Sequence, residues 1–270
     1  MIDLRRRSTE PELMDRQATD LATVEACLHD LERINRWTGA YRITLRWLER
    51  VLDRHRLKRP LVVVDVGSGY GDMLRRIAAF AEREGVAVDL IGVDLNPHAS
   101  VVAARATPPE HPIRYLTRNV FDLSPSLRPD VVISALFAHH LDDARLVRFL
   151  YWMEERAGLG WLINDLQRHA VPYLIARFAP TLLRMNRMVR NDASVSVARA
   201  FERRDWEGSS RRPGLPPRPR PSPPASRSAL PSGGSSRHDR KRRRAGHRRR
   251  AGWRRGGIAA RGGGARGDPL

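Results

Sequence analysis

From Leu61 onward the sequence alternates short aliphatic runs with helical stretches, and this alternation constrains the fold more than any other feature. The runs are Leu61–Val66, Val88–Val93, Ile113–Leu116, Val131–Ala135 and Trp161–Asn164. Helix-like segments lie near 71–84, 97–105 and 142–157. Most of the runs are continuously apolar, where a half-exposed strand would alternate apolar with polar residues. They fit strands covered on both faces, joined in parallel through crossover helices. The expected architecture is α/β, a doubly wound and mostly parallel sheet over residues 61–207. Such sheets place ligands beyond the carboxyl ends of their strands, so the loops after each run hold the functional candidates.

Residues 8–56 read as helical. Leu21, Val24, Leu28, Leu31 and Ile34 recur every three or four residues. A second helix, about Trp37–Arg56, carries Tyr41, Leu45, Leu48 and Leu52 on one face, and Pro60 ends the region. Residues 1–60 are thus expected to form a helical cap. Trp37 and Tyr41 fit either core packing or a lid over a substrate. Beyond the last run, Val171–Arg190 is apolar and basic, one or two helices, and Ser194 is a candidate start of another.

After Glu207 the composition collapses. Residues 208–270 hold 12 of the 20 Gly and 9 of the 19 Pro, with no Val, Phe or Tyr. Such a stretch cannot bury enough apolar surface to offset its chain entropy, so disorder without strands is expected. It also holds 18 of the 49 Lys and Arg but 2 of the 30 Asp and Glu. Of the net charge of +19, +16 belongs to this tail and +3 to residues 1–207. The run RHDRKRRRAGHRRR could hold phosphates through counterion release, which makes nucleic acid a partner only if the arm is native. Its composition also matches GC-rich DNA translated out of frame, which would make it a frameshift product.

The first loop, Gly67–Ser68–Gly69–Tyr70–Gly71, spaces its glycines G-x-G-x-G and not G-x-G-x-x-G. Glycines let a ligand approach the backbone, and the helix behind them presents free N–H groups. Asp65 stands two residues ahead. An anion there is awkward beside a pyrophosphate and suits a ligand carrying an ammonium and a sulfonium. The second run ends at Asp94, 23 residues beyond Gly71, near the distance at which an acidic residue reaches a ribose diol. It also fits a solvated strand end or a helix cap before Pro97. In the third loop, Arg118–Asp122, the Asn119 amide beside the Val120 N–H can read the edge of an adenine, and Asp122 fits a turn residue equally well.

Other classes find less support. Cys27 is the single cysteine, which leaves no disulfide framework, no thiolate cluster and, in a helix, the role of a buried thiol. No apolar run approaches the roughly 20 residues of a membrane span. The N-terminal basic residues precede no apolar stretch, so no secretory signal is expected and a cytoplasmic location is. The pair His139–His140 suggests a metal, but adjacent side chains diverge on a strand or helix, so none is expected. His140, after the fourth run, is the candidate catalytic base. Asp165 and His169, after the fifth, are further candidates on the substrate side.

These motifs carry a family resemblance. VVDVGSGYG resembles the glycine-rich motif of class I S-adenosylmethionine-dependent methyltransferases, GVDLNP their acidic strand end, and RNVFDL their adenine loop. PDVVISALFAHHL looks like their fourth-strand motif and WLINDL like the fifth strand. The N-terminal helices resemble the small-molecule branch found near polyketide and quinone-type biosynthesis genes. The resemblance spans residues 8–207 and implies a Rossmann-like fold with S-adenosylmethionine as cofactor. It implies that Asp65, Gly67, Gly69 and Gly71 hold the methionine part, Asp94 the ribose, and Asn119 and Val120 flank adenine. The family usually has Asp where Asn119 stands; the amide keeps an acceptor. Its terminal antiparallel strands look missing here, which leaves a cofactor-binding but inactive protein as one alternative. A nucleic-acid methyltransferase or binding protein using the Arg-rich tail, and an NAD-dependent oxidoreductase, are the others. The implied acceptor is a small, hydrophobic biosynthetic metabolite.

Overall fold

The computed structural model describes residues 3–15, 20–55, 57–210 and 257–261. Two helices, α1 (Leu21–Thr38) and α2 (Tyr41–Arg54), precede strand β1 (Leu61–Val66). Then follow α3 (Asp72–Arg83), β2 (Val88–Asp94), α4 (Pro97–Ala106), β3 (Ile113–Thr117), β4 (Val131–Ala135), α5 (Asp143–Arg156) and β5 (Gly160–Asn164). Three further helices, α6 (Ala170–Leu182), α7 (Arg187–Arg199) and α8 (Arg203–Ser210), lead towards a last strand, β6 (Gly257–Arg261). The sheet order is β3-β2-β1-β4-β5-β6. β1 to β5 are all parallel, and β6 pairs antiparallel with β5.

The five aliphatic runs are the five parallel strands, within a residue or two at each end. Their alternate residues feed separate cores. Leu61, Val63, Leu90, Ile133 and Leu162 pack with α2 and α3 through Leu48, Leu74 and Ile77. Val64, Val66, Ile91, Val93, Val132 and Ile163 pack on the other face with α5 through Phe149, Leu150 and Met153. Both faces are covered, which is why the runs lack alternation.

Three expectations are corrected. Residues 8–12 are not helical; a single 3-10 turn, Leu13–Asp15, precedes α1. The N–H groups of Leu13 and Met14 donate to the Asp192 carboxylate (2.8 and 3.0 Å), so α7 holds this segment extended. The second helix starts at Tyr41 and not at Trp37, because Gly39, in the left-handed region at φ +66°, ends α1. A strand also exists after Glu207. GIAAR has one β-branched residue and no alternation, so its pairing rests on the main-chain groups that β5 presents. The expected disordered tail otherwise lies outside the described residues, apart from 208–210 at the end of α8. No helix of the described residues is long and apolar enough to cross a membrane.

The start of the sheet is tied by a buried carboxylate. Asp130 accepts from the Val62 N–H (2.9 Å) and from both terminal nitrogens of Arg59 (2.6 Å each). Burial pushes its carboxyl up, but the Arg59 and Val62 hydrogen bonds outweigh it and hold the group below the usual range. A depressed carboxyl stabilises the fold above its unfolded value and loses that contribution as pH falls through the folded one. Asp130→Asn is therefore less stable than the wild type near neutrality. Denaturant melts at stepped pH are expected to show that gap closing below about pH 4.

Candidate functional site

The loops at the carboxyl ends of the parallel strands converge around the turn after β1. Gly67, Gly69 and Gly71 all have positive φ (72°, 48° and 70°), as their residue type permits. Two of them are also pressed by side chains. A Cβ on Gly67 would stand 2.5 Å from the Phe137 ring, and one on Gly71 would stand 2.2 Å from the Tyr115 hydroxyl. Gly69 faces only Leu28 of α1, at 3.6 Å. Gly92, inside β2, belongs to the same arrangement: a Cβ there would meet Ser68 and Tyr115 at 2.7 Å. A glycine inside an aliphatic run is the signal of close backbone approach, and it stands in the sequence as LIGVD.

Asp94 links β2 to this turn. One carboxylate oxygen accepts from the Gly69 N–H and the other from the Asn96 N–H, both at 2.9 Å. Burial pushes this carboxyl up, and those N–H bonds partly offset it. Asp65 is more extreme. It is buried, and its Oδ1 has no hydrogen-bond partner among the described residues. Burial, with the neighbouring charges of Asp72 and Asp94, raises its carboxyl well above the usual range. Asp72, the first residue of α3, accepts from the Tyr41 hydroxyl (2.6 Å) and the Asn35 amide (3.1 Å). The glycine turn is thus ringed by three carboxylates.

The other expected residues divide. Asn119 is exposed and caps the 3-10 turn Val120–Asp122, its Oδ1 accepting from the Phe121 N–H (3.1 Å). Val120 is buried in the core beside it. Tyr41 is packed and also bonded to Asp72, whereas Trp37 is exposed, so the two do not share a role. Cys27 is buried among Met185, Met188 and Val189, and burial pushes its thiol up to about 12. His169 caps α6 from an exposed position.

The acceptor-side loop after β4 departs from expectation. Residues 138–140 form a 3-10 turn, and the rings of His139 and His140 do not diverge; their centroids are 4.4 Å apart. The reason is the tight turn, entered through Leu136 in the left-handed region at φ +56° and held by its N–H to Asn164 O (2.9 Å). Both imidazoles face Glu12 of the N-terminal segment. His139 Nε2 is 3.6 Å from Glu12 Oε1, and His140 Nε2 is 3.8 Å from Oε2. Asp165 receives the His139 Nδ1 (2.7 Å) and the His139 N–H (2.8 Å). Burial raises the Asp165 carboxyl, but His139 and the Leu166 N–H outweigh it and hold it low. Asp15 lies 2.9 Å from both His140 Nδ1 and Arg199 Nη1, which bring it down to about 2 against the effect of burial. Glu12 is pushed up to about 7, first by burial and further by Asp15, against the lowering effects of His140, Ser196 and Arg199.

Arg7 clamps the same turn by donating to the carbonyls of His139 (3.0 Å), Leu141 and Arg199 (2.7 Å). Glu12, Asp15 and Arg7 were not legible as site residues, because nothing local in RRRSTEPELMD distinguishes them from a solvated segment.

Residues 63–155 match the family model described as a methyltransferase domain. No curated protein matches the chain in sequence. Among solved structures, the chain is similar to the plantazolicin methyltransferase BpumL in complex with SAH, at 14% identity and a TM-score of 0.51. That match covers 69% of this chain and 73% of the other. It is also similar to the plantazolicin methyltransferase BamL with a triazolic desmethylPZN analogue and SAH, at 11% identity and a TM-score of 0.50. Here the coverage is 70% and 72%.

The glycine contacts make a graded prediction. Alanine in the left-handed region costs roughly 1–2 kcal/mol, and Gly67→Ala and Gly71→Ala add a steric clash that Gly69→Ala lacks. Thermal melts should show Gly69→Ala as the mildest of the three. On its strand order and the family match over residues 63–155, the chain carries a region with the fold and the sequence pattern of a methyltransferase domain.

Proposed function

We propose that the chain transfers the methyl group of S-adenosylmethionine to a small, hydrophobic biosynthetic metabolite in the cytoplasm. The observation that carries the cofactor half is the buried Asp65, with its unpartnered Oδ1 behind a glycine turn that Asp94 braces. A buried carboxyl of this kind repels a pyrophosphate and attracts an ammonium. In this reading Asp65, Gly67, Gly69 and Gly71 hold the methionine part, Asp94 takes the ribose hydroxyls, and Asn119 and Val120 flank adenine. When bound, the cofactor supplies a methyl group already activated by its sulfonium. The protein aligns the acceptor, excludes water and manages a proton.

The acceptor half rests on what surrounds the carboxyl ends of β4 and β5. Of the pair His139–His140, His140 is the partly open one, with 21% of its side chain exposed, and its ring stacks on Phe137 beside Gly67. We assign it the catalytic role on the acceptor side, acting within the Glu12–His139–His140 cluster and not as an isolated base. The apolar α6 leaves Val171, Leu174, Ile175, Phe178 and Leu182 exposed, which favours a hydrophobic acceptor over a polyanionic one. The structural neighbours with azole-containing ligands support a natural-product substrate. The corresponding division is a cap over 1–60, a cofactor domain over 61–207 and a tail over 208–270.

Incubating a cell extract with the full chain and methyl-labelled cofactor, followed by mass spectrometry, should reveal one labelled apolar small molecule. Label recovered only in nucleic acid would overturn the acceptor reading. Asp94→Ala should weaken S-adenosylhomocysteine binding by about 1.5–3 kcal/mol, the range for charge-assisted hydrogen bonds. His140→Ala should lower kcat by about 10²–10⁴ while leaving that binding within a few-fold of wild type.

A further inference from the structure

We propose that Glu12, His139 and His140 form a binding site for one divalent transition-metal ion of the zinc class. Among the described residues, one ligand atom from each lies within 4.8 Å of the other two. A tetrahedral ion with bonds of about 2.0–2.1 Å separates its ligand atoms by roughly 3.3 Å. The two imidazole-to-carboxylate distances, 3.6 and 3.8 Å, are close to that. Glu12 and His139 are both nearly fully buried, and Glu12 Oε1 has no hydrogen-bond partner among the described residues. A buried carboxylate whose unpartnered Oε1 faces one imidazole nitrogen and whose Oε2 faces another is costly unless a cation joins them.

The surroundings are those a metal-bound histidine needs. Asp165 holds Nδ1 of His139 at 2.7 Å, which leaves Nε2 free to point at Glu12. A carboxylate behind a ligating imidazole fixes its tautomer and raises its basicity. Arg199, the nearest cation, does not occupy the site. Its Nη1 is 3.7 Å from Glu12 Oε1 and is engaged with Asp15 at 2.9 Å, while its Nη2 donates to the His140 carbonyl at 3.0 Å.

Two imidazoles and one carboxylate suit zinc, cobalt or nickel and disfavour magnesium and calcium. Three protein ligands leave a fourth position for water or an acceptor oxygen, whose proton the ion would make easier to remove. His140 stacks on Phe137, which lies against Gly67, so this position is on the acceptor side of the glycine turn. The ion would also fasten the N-terminal segment to the loop after β4.

The test uses the full chain, stripped with a chelator and titrated with Co²⁺ and then Zn²⁺. One ion per chain is expected, with a visible Co²⁺ spectrum of four-coordinate intensity and a rise in Tm. Glu12→Gln and His140→Ala should each weaken binding at least 100-fold, and Asp165→Asn about 10–100-fold. Circular dichroism and S-adenosylhomocysteine titration of each variant show whether it still folds and binds cofactor; the proposal needs both retained in His140→Ala, whose side chain is partly exposed. No stoichiometric ion in the wild type, or binding unchanged in His140→Ala, overturns it. The second result would place the ion on other histidines, such as His238 and His247. A wild-type chain that binds cofactor but takes up no stoichiometric ion would refute this site and leave the methyltransferase reading standing.

Discussion

The structure depends on one carboxylate more than on any other polar group. Asp94 ends β2 and grips the N–H of Gly69 with one oxygen and that of Asn96 with the other. The first bond fixes the turn after β1, and the second starts the path into α4. The turn then determines where Asp65 and Asp72 stand, and Asp72 in turn receives Tyr41 and Asn35 from the cap. Loop, cap and cofactor side are one hydrogen-bonded unit, built on adjacent parallel strands.

The acceptor side is organised separately. The fifth strand supplies Asn164, whose side-chain amide donates to the Ala40 carbonyl (2.8 Å) where α2 begins. It is followed by Asp165, which orients His139. The N-terminal segment completes this side with Arg7, Glu12 and Asp15. The proposed cofactor and acceptor sides meet at Phe137, which touches Gly67 on one side and stacks on His140 on the other.

What was legible in the sequence was what local pattern encodes. Strands covered on both faces read as unbroken aliphatic runs, and their ends mark the loops, so the gathering of Asp65, the three glycines and Asp94 around one turn could be read without coordinates. Glu12 could not, because the Leu13 and Met14 N–H groups beside it are held by Asp192, which is distant in sequence. The convergence of His139 and His140 was misread because alternation rules hold for strands and helices and fail in a 3-10 turn. The strand Gly257–Arg261 was not legible because GIAAR has one β-branched residue and no apolar alternation, while it pairs antiparallel with β5.

The central claim is that a buried carboxylate behind the glycine turn selects a cationic amino-acid cofactor over a dinucleotide. Calorimetric titration of the full chain with S-adenosylhomocysteine and with NAD tests it most directly. One-to-one heat is expected with the first and none with the second. Affinity for the first is expected to rise with pH as the raised Asp65 carboxyl ionises, because the ligand ammonium favours the charged form; Asp65→Asn should flatten that rise. Heat with NAD and silence with S-adenosylhomocysteine would contradict it.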